Sequence, residues 1–441
     1  MKFDLAKFTV YLFFAALLLN FFCILSCSSN TLALALLATC YPLALLVTGV
    51  RPRFTWYHAL FALFIVYLAL HKTLFFPEAK IFAFSRKAVL AFLAGMAAFQ
   101  LLKDRNMNFM YLMNLVLPFV IAGIAVLTAF GYIPYESLFW HSRLALAAPH
   151  APAFGIMLCI CLMSGLYFLF RKNAGDSLCA VLITTDSGRL ATLFCKTVKS
   201  KPFVSCGMLL SLGLLLPTFS KTAILTTAIV GGLFSIYIAC KRWGLLRSAA
   251  LCIFLALCAV AAWHLAPIEQ QRKEHFYNTV LNNALTPWKY PTFISRIPIW
   301  ESGILAVKEN PSYGVGPNGF GNFHQKRVHE DYVRLVSIYG QDIIDGDTLR
   351  IGSPHSTYLQ WFAETGIIGG MLFCLLLFAP LFYCLKKRTL CGEMGLILAA
   401  YAICFFFEGQ VHGGRTASFS TTVIFITFGY FSGILGQRQN L

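Results

Sequence analysis

Charge is scarce in this chain: 441 residues hold 35 Lys and Arg and 18 Asp and Glu, and charged side chains make up 12% of the total. A water-soluble globule carries about twice that fraction. Short alternating strands are also lacking, which argues against a transmembrane β-barrel. The 15 cysteines include no Cys-x-x-Cys pair, and none lies between Pro267 and His355. That distribution argues against a metal knuckle and a disulfide framework, and the cysteines read as small buried hydrophobes. Basic residues interleaved with aromatics do not stand out, so nucleic acid is not an expected partner. Repeats and low-complexity tracts are missing as well.

What is present is apolar sequence in runs of roughly twenty residues, the length that crosses a bilayer as a helix. The expected class is an all-α polytopic membrane protein with about twelve spans. They fall at 8–28, 31–50, 54–70, 88–102, 108–131, 153–170, 203–218, 222–240, 248–266, 357–384, 391–411 and 416–436. The organisation expected is spans one to nine over 1–266, a large and mainly helical outer loop over 267–355, and spans ten to twelve over 356–441. The N-terminus has the look of a signal peptide, and with further spans following it reads as an uncleaved first helix.

The cations sort by connection. Nineteen of the 35 fall in one alternate set, from Lys2 and Lys7 through the 171–201 stretch to Arg438. The positive-inside rule makes that set cytoplasmic, together with both termini, and puts 267–355 outside. The outer loop carries nine Lys and Arg against nine Asp and Glu. Seven cations remain at outward ends of spans: Lys72, Lys80, Arg86, Lys87, Arg143, Lys221 and Arg415. A bound anion is the simplest reason for cations placed against the topological bias; snorkelling at the interface is the other reading.

The chemistry gathers in residues 295–366. Ser295 suits a helix N-cap, and Pro298 is tolerated in a first turn. Arg296, Trp300, Gly303 and Val307 follow at helical spacing, and Asn310-Pro311 ends the helix. A cation in a first helical turn opposes the macrodipole, unless it sits there to hold a phosphate with the free backbone N–H groups; a pairing with Glu301 is the alternative. Gly314, Gly316, Gly319 and Gly321 follow no strand and lack the Lys-Ser/Thr of a P-loop, so they read as a turn-rich loop re-entering the membrane face. His355 comes directly after Pro354 at the head of the next span and suits a general base or a donor to phosphate. Glu364, lower on that span, and Glu408, near the end of another, need partners or a cavity. Ser220-Lys221-Thr222 places a point charge at an outer connection. Arg143, beside His141, and Arg415, in His412-Gly413-Gly414-Arg415, add outward cations.

Arg296-x-x-x-Trp300, then Asn310-Pro311-x-x-Gly314-x-Gly316, then His355-x-x-Tyr358-Leu359-Gln360-x-x-x-Glu364-x-Gly366 resembles the bacterial O-antigen ligase and polymerase superfamily. The resemblance implies a metal-independent glycosyltransferase of the inner membrane, without cofactor and with its active site periplasmic. The donor would be glycan on undecaprenyl pyrophosphate. The acceptor would be lipid A–core oligosaccharide in a ligase, or another lipid-linked repeat unit in a polymerase. His355, Arg296 and Lys221 would be catalytic, Lys221 standing where the family usually has Arg. Arg143, Lys80, Arg415, Tyr358 and Glu364 would bind pyrophosphate or glycan. A transporter or flippase is the competing class, but such proteins place their key charges near the bilayer midplane, not at the outer ends.

Overall fold

A computed structural model describes residues 5–25, 31–49, 53–77, 81–102, 151–170, 200–215, 220–237, 294–348, 352–386, 392–407 and 417–438, a strand pair at 139–140 and 143–144, and a few isolated positions. Leu, Ala and Phe dominate the helical runs, and a helix satisfies every backbone group within its own segment, as apolar surroundings demand. The helices are α1 (Leu5–Leu25), α2 (Thr31–Thr48), α3 (Trp56–Phe75), α4 (Ile81–Leu102), α5 (Ala151–Phe170) and α6 (Lys201–Leu215). Next comes α7 (Lys221–Thr226), which runs on through a π turn at Thr227–Gly231. Three polar helices follow, α8 (Arg296–Glu309), α9 (Phe320–Glu330) and α10 (Tyr332–Tyr339). The chain closes with α11 (Thr357–Lys386), α12 (Gly392–Phe407) and α13 (Ala417–Arg438).

Ten of the twelve expected spans coincide with these helices to within a few residues, α4 beginning seven residues earlier than expected. The expected spans 108–131 and 248–266 lie almost entirely outside the described residues, so the count of twelve is not fixed. Among the described residues, Trp56–Phe75, Phe84–Leu101 and Thr357–Lys386 are long and apolar enough to cross a membrane, and six further apolar helices are shorter. One departure from the all-α expectation is a two-residue antiparallel ladder, Phe139 opposite Leu144 and Trp140 opposite Arg143.

The core is a packed bundle. Helix α4 lies between α2 and α13, α5 against α6 and α12, and α11 against α12, α3 and α8. Between apolar helices in an apolar solvent, burial itself gives little drive, and close van der Waals approach of backbones takes its place. The α4–α13 crossing uses that means: a Cβ on Gly95 would strike the backbone of Ile426 and Tyr430, and one on Gly429 the carbonyl of Phe92. Phe61 of α3 stacks on Phe92 with ring centroids 3.9 Å apart. The polar helices form two small clusters of their own, one around Ile299, Ala306, Phe320 and Ala363 and one around Val328, Leu335 and Ile344. The first includes Ala363 of α11, which ties the polar region to the bundle.

Gly429→Leu is expected to force α4 and α13 apart, at an overpacking cost of at least about 1–3 kcal/mol. Gly232, where an added Cβ would meet nothing described within 4 Å, serves as control. In detergent thermal-unfolding scans Gly429→Leu should lose several degrees or fail to yield folded protein, while Gly232→Ala melts like the wild type.

Candidate active site

Helix α8 begins at Arg296, and Ser295 before it does not cap it. Ser295 has helical backbone angles, is 8% exposed and accepts no cap bond from the turn above. The expected N-cap is therefore replaced by burial of Ser295. The end of α8 is as its sequence suggests, with Asn310 leaving helical geometry while its N–H still donates to the Ala306 carbonyl at 3.1 Å. The face bearing Arg296, Trp300, Gly303 and Val307 is turned to α11, and a Cβ on Gly303 would meet Leu359 at 2.7 Å.

Helix α11 is broken at Gly366, whose φ of 70° and ψ of −175° lie outside the helical range. Left-handed φ is a glycine conformation, and a Cβ here would also meet the Ser312 backbone at 2.6 Å. The break interrupts the helical ladder on both sides. The loop after α8 supplies the partners: Val315 N–H donates to the Ala363 carbonyl at 2.8 Å, Gly316 N–H to the Glu364 carbonyl at 3.1 Å, and Ile367 N–H to the Pro311 carbonyl at 2.8 Å. The glycine cluster thus works as close-fitting geometry, as its sequence suggests: Gly314 has φ +67° and no room for a Cβ against Glu364 and Gly366.

Glu364 is fully buried at the centre of this joint. One oxygen accepts the Asn318 N–H at 3.0 Å and the other the Gln360 side-chain amide at 3.2 Å. It has the partners its position requires, and they belong to the protein, so it braces the loop. Tyr358 is likewise turned inward: its hydroxyl donates to the Ala402 carbonyl of α12 at 2.9 Å, and its ring packs among Phe373, Phe378, Phe405 and Phe406.

The two chemistry-bearing ends of the stretch are brought together. Trp300, one turn along α8 from Arg296, donates its indole N–H to the Pro354 carbonyl at 3.0 Å. That bond ties α8 to the residue preceding His355. Burial is the main cause, and the Arg296 guanidinium the second, that lowers His355 from the usual imidazole value to about 4. His355 is therefore neutral at pH 7, with one ring nitrogen able to accept a proton. It stands two residues ahead of α11 rather than opening it, with a left-handed φ of 47°. The helix is opened by Ser356, whose Oγ accepts the Leu359 N–H at 3.4 Å. For a residue with a Cβ, a left-handed backbone costs on the order of 1–3 kcal/mol and concentrates at functional sites.

Lys221 is the first residue of α7, directly after Ser220, a buried N-cap whose Oγ accepts the Ala223 N–H at 3.3 Å. Arg143 lies on the second strand of the two-residue ladder. The side chains of Lys221 and Arg143, and Lys80, Arg415 and Glu408 entirely, lie outside what the structure describes. Sequence reasoning passed over two residues of α3, Tyr67 and His71, which reach the glycine loop. A histidine inside an apolar run, four residues from a tyrosine, is the signal that marks them.

Residues 206–374 match a family model described as O-antigen ligase. That segment runs from within α6 to the second half of α11 and contains the loop, the break, Arg296 and His355. An uncharacterized protein of Haemophilus influenzae is 27% identical over 142 residues, which cover 30% of this chain and 33% of that protein. The match therefore spans about a third of the relative's length. Over residues 206–374, then, the chain is similar to the O-antigen ligase family.

Proposed function

We infer that this protein is a glycosyltransferase that moves glycan from undecaprenyl pyrophosphate to lipid A–core oligosaccharide at the periplasmic face of a bacterial inner membrane. The observation that carries the reading is the pairing of a first-turn arginine with a neutral histidine, Arg296 beside His355, held by the Trp300–Pro354 bond. The O-antigen ligase match over the same residues supports the substrate class.

In this reading an acceptor hydroxyl attacks the anomeric carbon of the donor sugar. The new C–O bond forms as the bond to the pyrophosphate oxygen breaks, with inversion at that carbon, and undecaprenyl pyrophosphate departs. The leaving group is already activated, so cationic side chains suffice to neutralise the charge that develops on it. Arg296 is the first of these, in bidentate contact with a phosphate and aided by the N–H groups of its own helix turn. Lys221, also a first helical residue, adds a point charge, and Arg143, Lys80 and Arg415 complete the anion site. His355 takes the proton from the attacking hydroxyl. Before substrate arrives, Arg296 depresses its basicity; a bound pyrophosphate offsets that charge and raises His355 towards a useful value. Glu364 and Tyr358 serve the site from behind by fixing the loop and the head of α11. The topology has both termini cytoplasmic and the 267–355 loop outside, with the aromatic-rich spans as the groove for the polyprenyl tail.

The lipopolysaccharide profile of a deletion strain tests the acceptor. Unmodified core, with polymerised glycan left on the lipid carrier, is expected. Core bearing a single repeat unit would instead identify a polymerase.

Arg296→Ala and His355→Ala should each lower transfer by about a hundredfold or more, the scale of losing one charge-stabilising donor or one general base. Both should still insert and fold, which a thermal scan of the purified variants checks. Wild-type transfer rates in either would remove that residue from the mechanism.

Lys221→Arg is expected to keep or raise the rate, because a guanidinium offers two donors to a phosphate where an ammonium offers a point charge. A dead variant in the same transfer assay would mean that the site is built around ammonium geometry.

A further inference from the structure

We propose that Tyr67 and His71 of α3 are positioning residues for the transfer reaction, a latch that sets Arg296 and His355 in place through the backbone of the glycine loop. The proposal rests on the transferase reading above. Neither residue lies in the matched segment 206–374.

The two side chains are one helical turn apart and lie on one face of α3. The Tyr67 hydroxyl donates to the Thr365 carbonyl, next to the Gly366 break, and lies 3.4 Å from the Ser312 carbonyl across it. His71 Nε2 lies in hydrogen-bonding contact with the Tyr313 carbonyl. A carbonyl only accepts, so Nε2 carries the hydrogen, and Nδ1 is left buried without a hydrogen-bond partner among the described residues. Two aromatic contacts extend the grip: Phe75 stacks on Tyr313 at 5.1 Å and 12°, and the Phe76 ring fills the space a Cβ on Gly316 would need.

These contacts reach carbonyls other than those the loop's own ladder takes. The loop's own ladder accounts for Pro311, Ala363 and Glu364; α3 takes Ser312, Tyr313 and Thr365. Helix α8 enters the loop and α11 passes through it, so a shift of the loop against α3 moves Arg296 and His355 relative to the bundle. From Gly366 to Thr357 is nine residues, about 13 Å of helix, a lever short enough to transmit such a shift. Proximity effects are steep, and a 1 Å displacement of catalytic groups costs about a hundredfold.

The test uses full-length protein in nanodiscs, with Tyr67→Phe, His71→Leu and His71→Gln. Hydrogen exchange is read at the Val315 and Gly316 amides, and kcat and KM are measured with the lipid-linked donor. Tyr67→Phe removes one hydroxyl and His71→Leu one donor. Each should speed exchange of those amides and lower kcat between tenfold and about a hundredfold, with donor KM within about twofold of wild type. His71→Gln keeps a donor and should restore most of both. Unchanged exchange would overturn the latch; faster exchange with unchanged kcat would overturn its part in positioning. A loss equally large in all three variants would reduce the contacts to packing and overturn the proposal. Should His71→Leu fail to fold, Tyr67→Phe decides alone. A wild type inert towards lipid-linked glycan would overturn the transferase reading, and the positioning role with it, while the exchange data would still judge the latch.

Discussion

An α-helix broken in apolar surroundings leaves carbonyls and amides with no water to bond, each at a cost of several kcal/mol. Gly366 creates such a break in α11, and the structure around it follows from repairing it. The loop from Pro311 to Asn318 is laid against the break so that its own backbone groups meet those of the helix. Because α8 runs into that loop, the repair also fixes where α8 lies. A polar helix is thereby registered to a membrane-type helix by backbone bonds, which do not depend on side-chain rotamers.

That registration gives Arg296 and His355 their relation. Burial first and the neighbouring guanidinium second disfavour the charged imidazole, so His355 is held neutral, on a left-handed backbone two residues ahead of α11. Each of these features is unfavourable taken alone. Together they fit the role proposed for the pair, in which an anionic substrate would relieve the repulsion. The buried carboxylate of Glu364 completes the arrangement from below, where its two oxygens brace the loop by accepting the Asn318 amide and the Gln360 side chain.

The scaffold behind the site relies on contact rather than on hydrophobic drive. Gly95 and Gly429 let α4 and α13 touch backbone to backbone, and aromatic rings from α3, α4, α11 and α13 interlock around Trp361 and Phe425. Helix α3 has a double place in this. Its Tyr57 hydroxyl bonds the Leu376 carbonyl in the second half of α11, while Tyr67 and His71 hold the broken region above. One helix therefore braces both halves of α11 across the break.

Much of this was legible in the residues. Hydropathy placed ten helices to within a few positions, because a span of apolar residues has few other structures open to it. Asn310-Pro311 marked the end of α8, and the spacing of Arg296, Trp300, Gly303 and Val307 marked the face it turns inward. Motif order pointed to Arg296 and His355, which the fold sets close enough to interact. Local pattern misjudged Ser295, which has a cap's side chain but is buried in helical geometry, and it did not foresee that the polar tip of Tyr358 bonds a carbonyl of α12. It was silent on the partnership of Tyr67 with Thr365, 298 residues apart. Hydropathy and helix signals are properties of neighbouring residues, so the chain alone determines its helices and their ends. Which carbonyl a distant hydroxyl completes depends on how those helices cross, and only the tertiary structure decides that.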